Sequence, residues 1–260
     1  MAIHQTAIVS DKAKISPDAT IGPYVVIRGE VDIAEGVIID HFTTIGAEYT
    51  KVTIGAGTRI FPGAVVGEAP QDLKYKGEKT QVTIGENNMI REYVTIHAGT
   101  PDGGGHTQIG NNGLFMAYVH IAHDCVIGDS VVIANSSQLA GHVIIEDHVK
   151  IGGVCAFNQF VRLGKYCYIA GDSAVNKDVL PFAIAQGKYA VMRAANQIGM
   201  ERAGYEKEEV ENVRRALRIF TKGGHTVDEA MQRIESECGN FPSITELLKF
   251  AQKSQRGLAL

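Results

Sequence analysis

From Ile3 onward every sixth residue is apolar: Val9, Ile15, Ile21, Ile27, Ile33, Ile39 and Ile45. The phase then slips to Ile54, Ile60 and Val66 and holds that register at Ile84, Ile90 and Ile96. After one more slip it runs unbroken through Ile109, Phe115, Ile121, Ile127, Ile133, Leu139, Ile145, Ile151, Phe157, Leu163, Ile169 and Val175. An amphipathic helix repeats its apolar face about every 3.6 residues and a lone strand every second residue, so neither makes this beat. A hexad beat belongs to a parallel β-helix. Each hexad gives one short strand and one turn, and three hexads close a triangular coil. The apolar residue points into the prism and stacks on its counterpart one coil away, at the ordinary strand spacing of about 4.8 Å. Glycine follows the apolar position at Gly22, Gly46, Gly55, Gly85, Gly110, Gly128, Gly152 and Gly164. There it is expected to supply the positive φ of a tight corner.

Two stretches break the rhythm. If the coil ran straight through residues 67–83, GEAPQDLKYKGEKTQVT, Asp72 and Glu78 would fall at core positions. Unpaired charges are too costly there, so the segment leaves the prism. Residues 97–108, HAGTPDGGGHTQ, are rich in glycine and leave it as well. Loops on a rigid scaffold are where function concentrates. The beat ends near Pro181, and helical spacing takes over. EEVENVRRALRIFTKGG places Val210, Val213, Leu217 and Phe220 on one face and stops at glycine. Thr226 to Glu229 and Ser243 to Glu246 each fit a capping box. The expected organisation is a mainly β protein: a parallel β-helix over 1–189 and a helical domain over 190–260. The flat faces of the coil stack favour a symmetric self-assembly that covers them.

Composition narrows the function class. No apolar run approaches the ~20 residues of a membrane helix, and MAIHQTAIVSDKAK lacks the apolar core of an export signal. The expectation is a cytoplasmic protein without an integral membrane segment. Cys125, Cys155, Cys167 and Cys238 form no CxxC pair and read as reduced thiols. A formal net charge of −4 argues against nucleic acid as a partner while leaving room for a local basic patch.

The sequence AYVHIAHDCVIGDSV, starting at Ala117, sets two histidines three apart inside the repeat. One coil after His123 comes Gly141, with His142 beside it, and two coils after it comes Gln159. The stack thus gathers His120, His123, Gly141, His142, Asn158 and Gln159 into one zone. His120 precedes the inward Ile121 and points outward. Alternation would turn His123 inward, but it stands at a turn, where alternation is a weak guide. Three readings of the zone stay open. The rings are solvated coil residues; or His120, His123 and His142 hold zinc; or a histidine acts as general base near neutral pH. For the third, Asp124 would fix the tautomer of His123 and the Gly141 N–H would serve an oxyanion, the two parts acyl transfer to a hydroxyl requires.

The strings PQDLKYKGEKT, IREYVTIHAGT, YVHIAHDC, LAGHV, IAQG and QRGLAL, spread over nearly the whole chain, resemble the UDP-N-acetylglucosamine O-acyltransferases that open lipid A biosynthesis. The resemblance implies a left-handed coil, a homotrimer with active sites between subunits, and transfer of an (R)-3-hydroxyacyl chain from acyl carrier protein to the sugar 3-hydroxyl. It implies no metal and no cofactor beyond the 4'-phosphopantetheine of the carrier. By it, His123 is the base, Asp124 orients it and Gly141 binds the oxyanion. Asp72, Lys74, His120 and His142 touch substrate with Gln71 nearby, while Gln159, Asn196 and Arg202 match the nucleotide-binding set. The excursion at 67–83 would carry Asp72 and Lys74 across to the His123 of a neighbouring subunit. The acidic carrier calls for a basic surface, with Arg162, Lys165, Arg193, Arg202, Arg214, Arg215 and Arg218 as candidates; Arg215 and Arg218 also fit a solvated helix face. Three positions depart from the family pattern: Asn158 replaces a common histidine, Ile198 a carboxylate and Ala203 a second arginine. The last two point to a possible 3-amino sugar as acceptor. Gly171, where a larger residue shortens the acyl pocket, favours a longer chain. Rival readings on the same coil are a coenzyme A-dependent acetyltransferase, which usually lacks QDLKY, a γ-type zinc carbonic anhydrase, and a scaffold without chemistry.

Overall fold

The structure is a computed structural model that describes residues 2–260. Most strands are two residues long, an outward residue followed by an inward one. Ile21, Ile39, Ile60, Ile90, Phe115, Ile133, Ile151 and Ile169 are all 2% exposed or less. At roughly 1.5–3 kcal/mol for each buried aliphatic side chain, this column is the main source of cohesion. Strands pair in parallel at a spacing of one coil, as in Ile21↔Ile39, Ile121↔Leu139 and Ile127↔Ile145. They build three sheets of 11, 9 and 8 strands, the walls of a left-handed triangular β-helix.

The phase slips turn out to be lengthened strands in the third sheet. Glu30–Ile33, Thr50–Ile54, Thr80–Ile84 and His106–Ile109 lie side by side in register. Each gains an inward residue two before its hexad aliphatic: Val31, Val52, Val82 and Thr107 are buried. These strands absorb the ends of both excursions. The first spans only 69–79 rather than 67–83, and the second 98–105 rather than 97–108.

The corners correct the glycine expectation. Of the eight post-aliphatic glycines only Gly46 has positive φ. The others are needed for close approach: a Cβ on Gly55 would come within 2.5 Å of the Gly85 backbone, and one on Gly110 within 2.8 Å of Gly128. Positive φ falls at another turn position, filled by glycine at Gly36, Gly57 and Gly63 and by larger side chains at Tyr93, Tyr118, Asp124, His142, Val154, Phe160 and Tyr166. Left-handed backbone costs a non-glycine residue about 1–2 kcal/mol. Backbone bonds from the coil above and below hold it in place, and side chains stack from one coil to the next: Tyr93 on Tyr118 at 5.2 Å, His142 on Phe160 at 4.3 Å.

The strand system runs to Ala195, where Ala190–Ala195 pairs antiparallel with Ala183–Gly187. Four helices follow: α1 (Gln197–Arg202), α2 (Lys207–Lys222), α3 (Val227–Glu237) and α4 (Pro242–Gln252). The apolar face of α2 buries Val210, Val213, Leu217 and Phe220, and Thr226 and Glu229 form a reciprocal capping box on α3. The second expected box does not form. Pro242 takes the first position of α4, which moves Ser243 into the first turn, where its N–H donates to Glu209. The C-terminal tail is tied back to the coil: the Asp178 N–H donates to the Gly257 carbonyl, and the Ala259 N–H to the Asp178 carbonyl. All four cysteines are buried and unpaired. No described helix is long and apolar enough to cross a membrane.

Candidate active site

His123 and Asp124 occupy the corner between the second and third sheets. His123 is 6% exposed yet lies outside the prism core, with its ring across Gly141 of the next coil. A Cβ at Gly141 would stand 2.4 Å from Cε1 and 2.7 Å from Nε2 of His123, so only glycine leaves room for the ring. Asp124 has φ 59°, and this left-handed turn folds its carboxylate back onto the preceding ring. His123 Nδ1 lies 2.8 Å from Asp124 Oδ2. A carboxylate only accepts, so Nδ1 carries the proton and Nε2 keeps a free lone pair.

Asp124 is held from the second excursion. The Thr100 N–H donates to both carboxylate oxygens at 2.9 and 3.1 Å, and the Thr100 hydroxyl donates at 2.6 Å. The Asp124 N–H donates to Thr107 Oγ1. Burial alone would push the Asp124 carboxyl up, but the hydrogen bonds from His123 and Thr100, with His142 nearby, hold it below the usual carboxylate range. Gly99 and Gly103 let the loop press this close, since a Cβ at Gly103 would stand 2.1 Å from Asp124 Cγ. Thr100 and Thr107 were missed in the sequence; the signal was the glycine-rich run, which marks a close backbone approach.

His142 meets His123 edge-on at 5.0 Å and stacks on Phe160. Burial lowers its proton affinity, while Asp124 and Asp72 oppose that effect. The Asp72 carboxylate of the first excursion is near enough to His142 to favour its protonated form. The excursion is self-braced: the Lys74 N–H donates to Asp72 Oδ1 at 2.9 Å, and Gln71 and Lys74 are exposed.

His120 stands on the outer face of the second sheet, its Nδ1 2.7 Å from Thr95 Oγ1. Its ring meets His97 edge-on at 5.0 Å. Burial, reinforced by His123, lowers its proton affinity. Burial together with His120 brings His97 to about 4. His97 belongs to this cluster and was not singled out in the sequence, because it falls at the second phase break, where the hexad count gives no position.

Asn158 and Gln159 are exposed above the same corner, and no side-chain bond ties either one. Gly171 lies elsewhere, packed against Gly153 at the corner between the first and second sheets. Asn196 and Arg202 line a separate cavity of about 540 Å³ with His148, Tyr166, Ile198 and Ala203, at the third corner. Asn196 caps α1 through Oδ1 and donates to the Tyr166 carbonyl at 2.8 Å. Within one chain, then, Asn196 and Arg202 are on a different corner of the prism from His123, while Gln159, the third expected nucleotide residue, shares the His123 corner.

Ligand atoms of His123, Asp124 and His142 fall within 4.8 Å of one another. The trio fits a metal poorly. Asp124 already accepts from Thr100 and His123, the proton-bearing nitrogen of His123 faces that carboxylate, and His120 is turned to Thr95. The arrangement instead presents one lone pair, oriented by a buried carboxylate, above a glycine N–H that donates to no acceptor within the described chain. That is the outline of a base beside an oxyanion donor.

Comparison with known proteins agrees with this geometry. Residues 178–259 match the family model described as UDP N-acetylglucosamine O-acyltransferase, domain 2; residues 12–47 and 106–141 match the bacterial transferase hexapeptide model. The acyl-[acyl-carrier-protein]–UDP-N-acetylglucosamine O-acyltransferase of Thermodesulfovibrio yellowstonii is 44% identical over 98% of both chains. That of Campylobacter concisus is 40% identical over 99% of this chain and 97% of its own. Among solved structures, LpxA from Acinetobacter baumannii superposes with a TM-score of 0.96 at 38% identity over the whole of both chains. Similarity at this level from end to end exceeds what a shared coil produces, and the chain belongs to the UDP-N-acetylglucosamine O-acyltransferase family of hexapeptide-repeat acyltransferases.

Proposed function

We propose that this chain transfers an (R)-3-hydroxyacyl group from acyl carrier protein to the 3-hydroxyl of UDP-N-acetylglucosamine, the opening step of lipid A biosynthesis, in the cytoplasm. The observation that carries the reading is His123, oriented by Asp124 at 2.8 Å and laid over Gly141. Nε2 of His123 takes the hydroxyl proton as the sugar oxygen attacks the thioester carbonyl. The new oxyanion accepts from the Gly141 N–H, and Asp124 stabilises the imidazolium. Collapse forms the ester, breaks the C–S bond and returns the proton from His123 to the departing pantetheine thiolate. His142, His120, Asp72, Lys74 and Gln71 hold the sugar beside the base. The reaction needs no metal or cofactor beyond the carrier's own 4'-phosphopantetheine.

A homotrimer is supported by the division of the site. Asn196 and Arg202 share a cavity one corner away from His123, and a threefold arrangement brings one chain's cavity to its neighbour's base. Donor docking is supported by a cleft of about 370 Å³ between Ala190–Ala195 and α2, lined by Arg193, Arg214, Arg218 and Lys222. Arg214 is paired with Glu211 and Arg215 with Glu237, and Arg162 with Glu146. Arg193, Arg218 and Lys222 pair with no acid among the described residues, which leaves them to an acidic carrier protein.

Ile198 and Ala203 beside Arg202 make the nucleotide cavity less polar, which favours testing a 3-amino acceptor. Purified protein is assayed with (R)-3-hydroxyacyl carrier proteins of several chain lengths against UDP-N-acetylglucosamine and its 3-amino analogue. Transfer to the hydroxyl sugar, abolished by His123→Ala, is the expected result. Transfer to the amino sugar alone moves the specificity, and transfer to neither refutes the reading.

A further inference from the structure

Beside the base stands a histidine that the proposed reaction leaves unemployed. His97 ends the strand Thr95–His97 and sits one coil before the strand that begins with His120. Ile96 and Ile121 point inward, so His97, Thr95 and His120 share the outer face of the second sheet. His97 is 6% exposed, and its Nδ1 is fully buried without a hydrogen-bond partner. Its neighbours are already engaged: Glu68 pairs with Arg28 and accepts from the Ala69 N–H, and Thr95 is bonded to His120. Nε2 has no partner among the described residues either, and it is not one of the fully buried unpaired atoms, so it keeps contact with the surface.

These facts settle the tautomer. An N–H buried without an acceptor is rarer and more costly than a buried lone pair. The proton therefore sits on Nε2, and burial keeps the ring neutral at physiological pH. The result is a rigid, neutral N–H donor with nothing to donate to, edge-on to His120 and next to His123. Adjacent coils are about 4.8 Å apart, comparable to the width of one pyranose ring.

Resting on the acyl-transfer reading above, we propose that His97 is a further sugar-binding residue, donating Nε2–H to one oxygen of the acceptor hexose other than the reacting 3-hydroxyl. The sugar then lies between His97 on one side and His123 on the other, with its 3-hydroxyl held to Nε2 of His123. A donor that fixes the ring without touching the reacting atoms affects acceptor binding rather than the chemical step.

The test compares wild type, His97→Phe, which keeps the ring shape without a donor, and His97→Gln, which keeps an N–H. Acceptors are UDP-N-acetylglucosamine, its 4-deoxy and 6-deoxy analogues, and UDP-glucose, which lacks the acetamido oxygen. His97→Phe is expected to raise KM for the full acceptor about tenfold with kcat and the carrier-protein KM little changed. His97→Gln recovers most of the loss. One analogue, poor with wild type, loses nothing further in His97→Phe, and that non-additivity names the oxygen. A wild-type KM in His97→Phe, or losses that add with every analogue, overturns the inference. So does a fall in melting temperature or in oligomer mass that both variants share without a change in KM. Wild-type protein that transfers to no acceptor refutes the acyl-transfer reading itself, which separates the two failures.

Discussion

Replacing Gly141 with alanine adds a single methyl group at the point where the coil touches the base. The new Cβ would stand 2.4 Å from Cε1, 2.7 Å from Nε2 and 3.0 Å from Nδ1 of His123. Ordinary carbon contacts begin near 3.5 Å, so ring and backbone must separate by about 1 Å. The ring cannot simply retreat, being tied to Asp124 at 2.8 Å and flanked edge-on by His142. Gly141 does not have positive φ, so alanine is conformationally permitted and the effect is steric. A misplacement of about 1 Å typically costs on the order of 10²-fold in rate. Overpacking of this kind destabilises by about 1–3 kcal/mol, partly offset by about 0.4–1 kcal/mol from the stiffer unfolded chain. Steady-state acyl transfer and thermal melting of Gly141→Ala measure both. Transfer within threefold of wild type by a folded variant would refute the claim that His123 lies over Gly141 in the working enzyme.

Thr100→Val removes the hydroxyl donor to Asp124 while leaving the backbone donor in place. The folded-state proton affinity of Asp124 is depressed, so its contribution to stability is present above the unfolded carboxylate pKa and lost as pH falls through the lower folded value. Urea denaturation should show the variant about 1.5–3 kcal/mol less stable near neutral pH, with the gap closing in acid; a constant gap contradicts this linkage. Arg193→Glu combined with Arg218→Glu should raise KM for the acyl carrier protein at least tenfold and flatten its salt dependence, with KM for the UDP-sugar unchanged. An unaltered carrier KM would place docking elsewhere. Val154 is β-branched, has φ 58° and is 63% exposed; Val154→Asn should relieve about 1 kcal/mol of backbone strain and raise the melting temperature by about 2–4 °C. A lower melting temperature would mean that the valine side chain contributes more than its backbone costs.

The sequence alone determined the coil. A hexad of apolar residues admits one packing, and it places Ile21, Ile121 and Ile133 inside the prism, where they are buried. The one-coil offset also put His123 beside Gly141, because register in a β-helix is fixed by counting. The counting fails where strands lengthen, and the edges of both excursions were therefore misjudged by up to four residues. It fails also at His97, which lies at a phase break, and at Ser243, where Pro242 sets the helix start.

Only the tertiary structure decided what stands around the base. Thr100 reaches Asp124 from 24 residues away through a loop whose path no periodicity encodes. Many left-handed corners carry tyrosine, histidine or phenylalanine where glycine would be locally preferred, because backbone bonds from neighbouring coils and stacked rings outweigh a local preference of about 1–2 kcal/mol. Asp72 comes near enough to His142 to oppose the effect of burial on it, a proximity that nothing in QDLKY encodes. A repeat dictates what lies inside it, where each residue meets its own copy one coil away. The chemistry stands outside, where contacts form between segments that share no repeat, and those contacts exist only once the chain has closed.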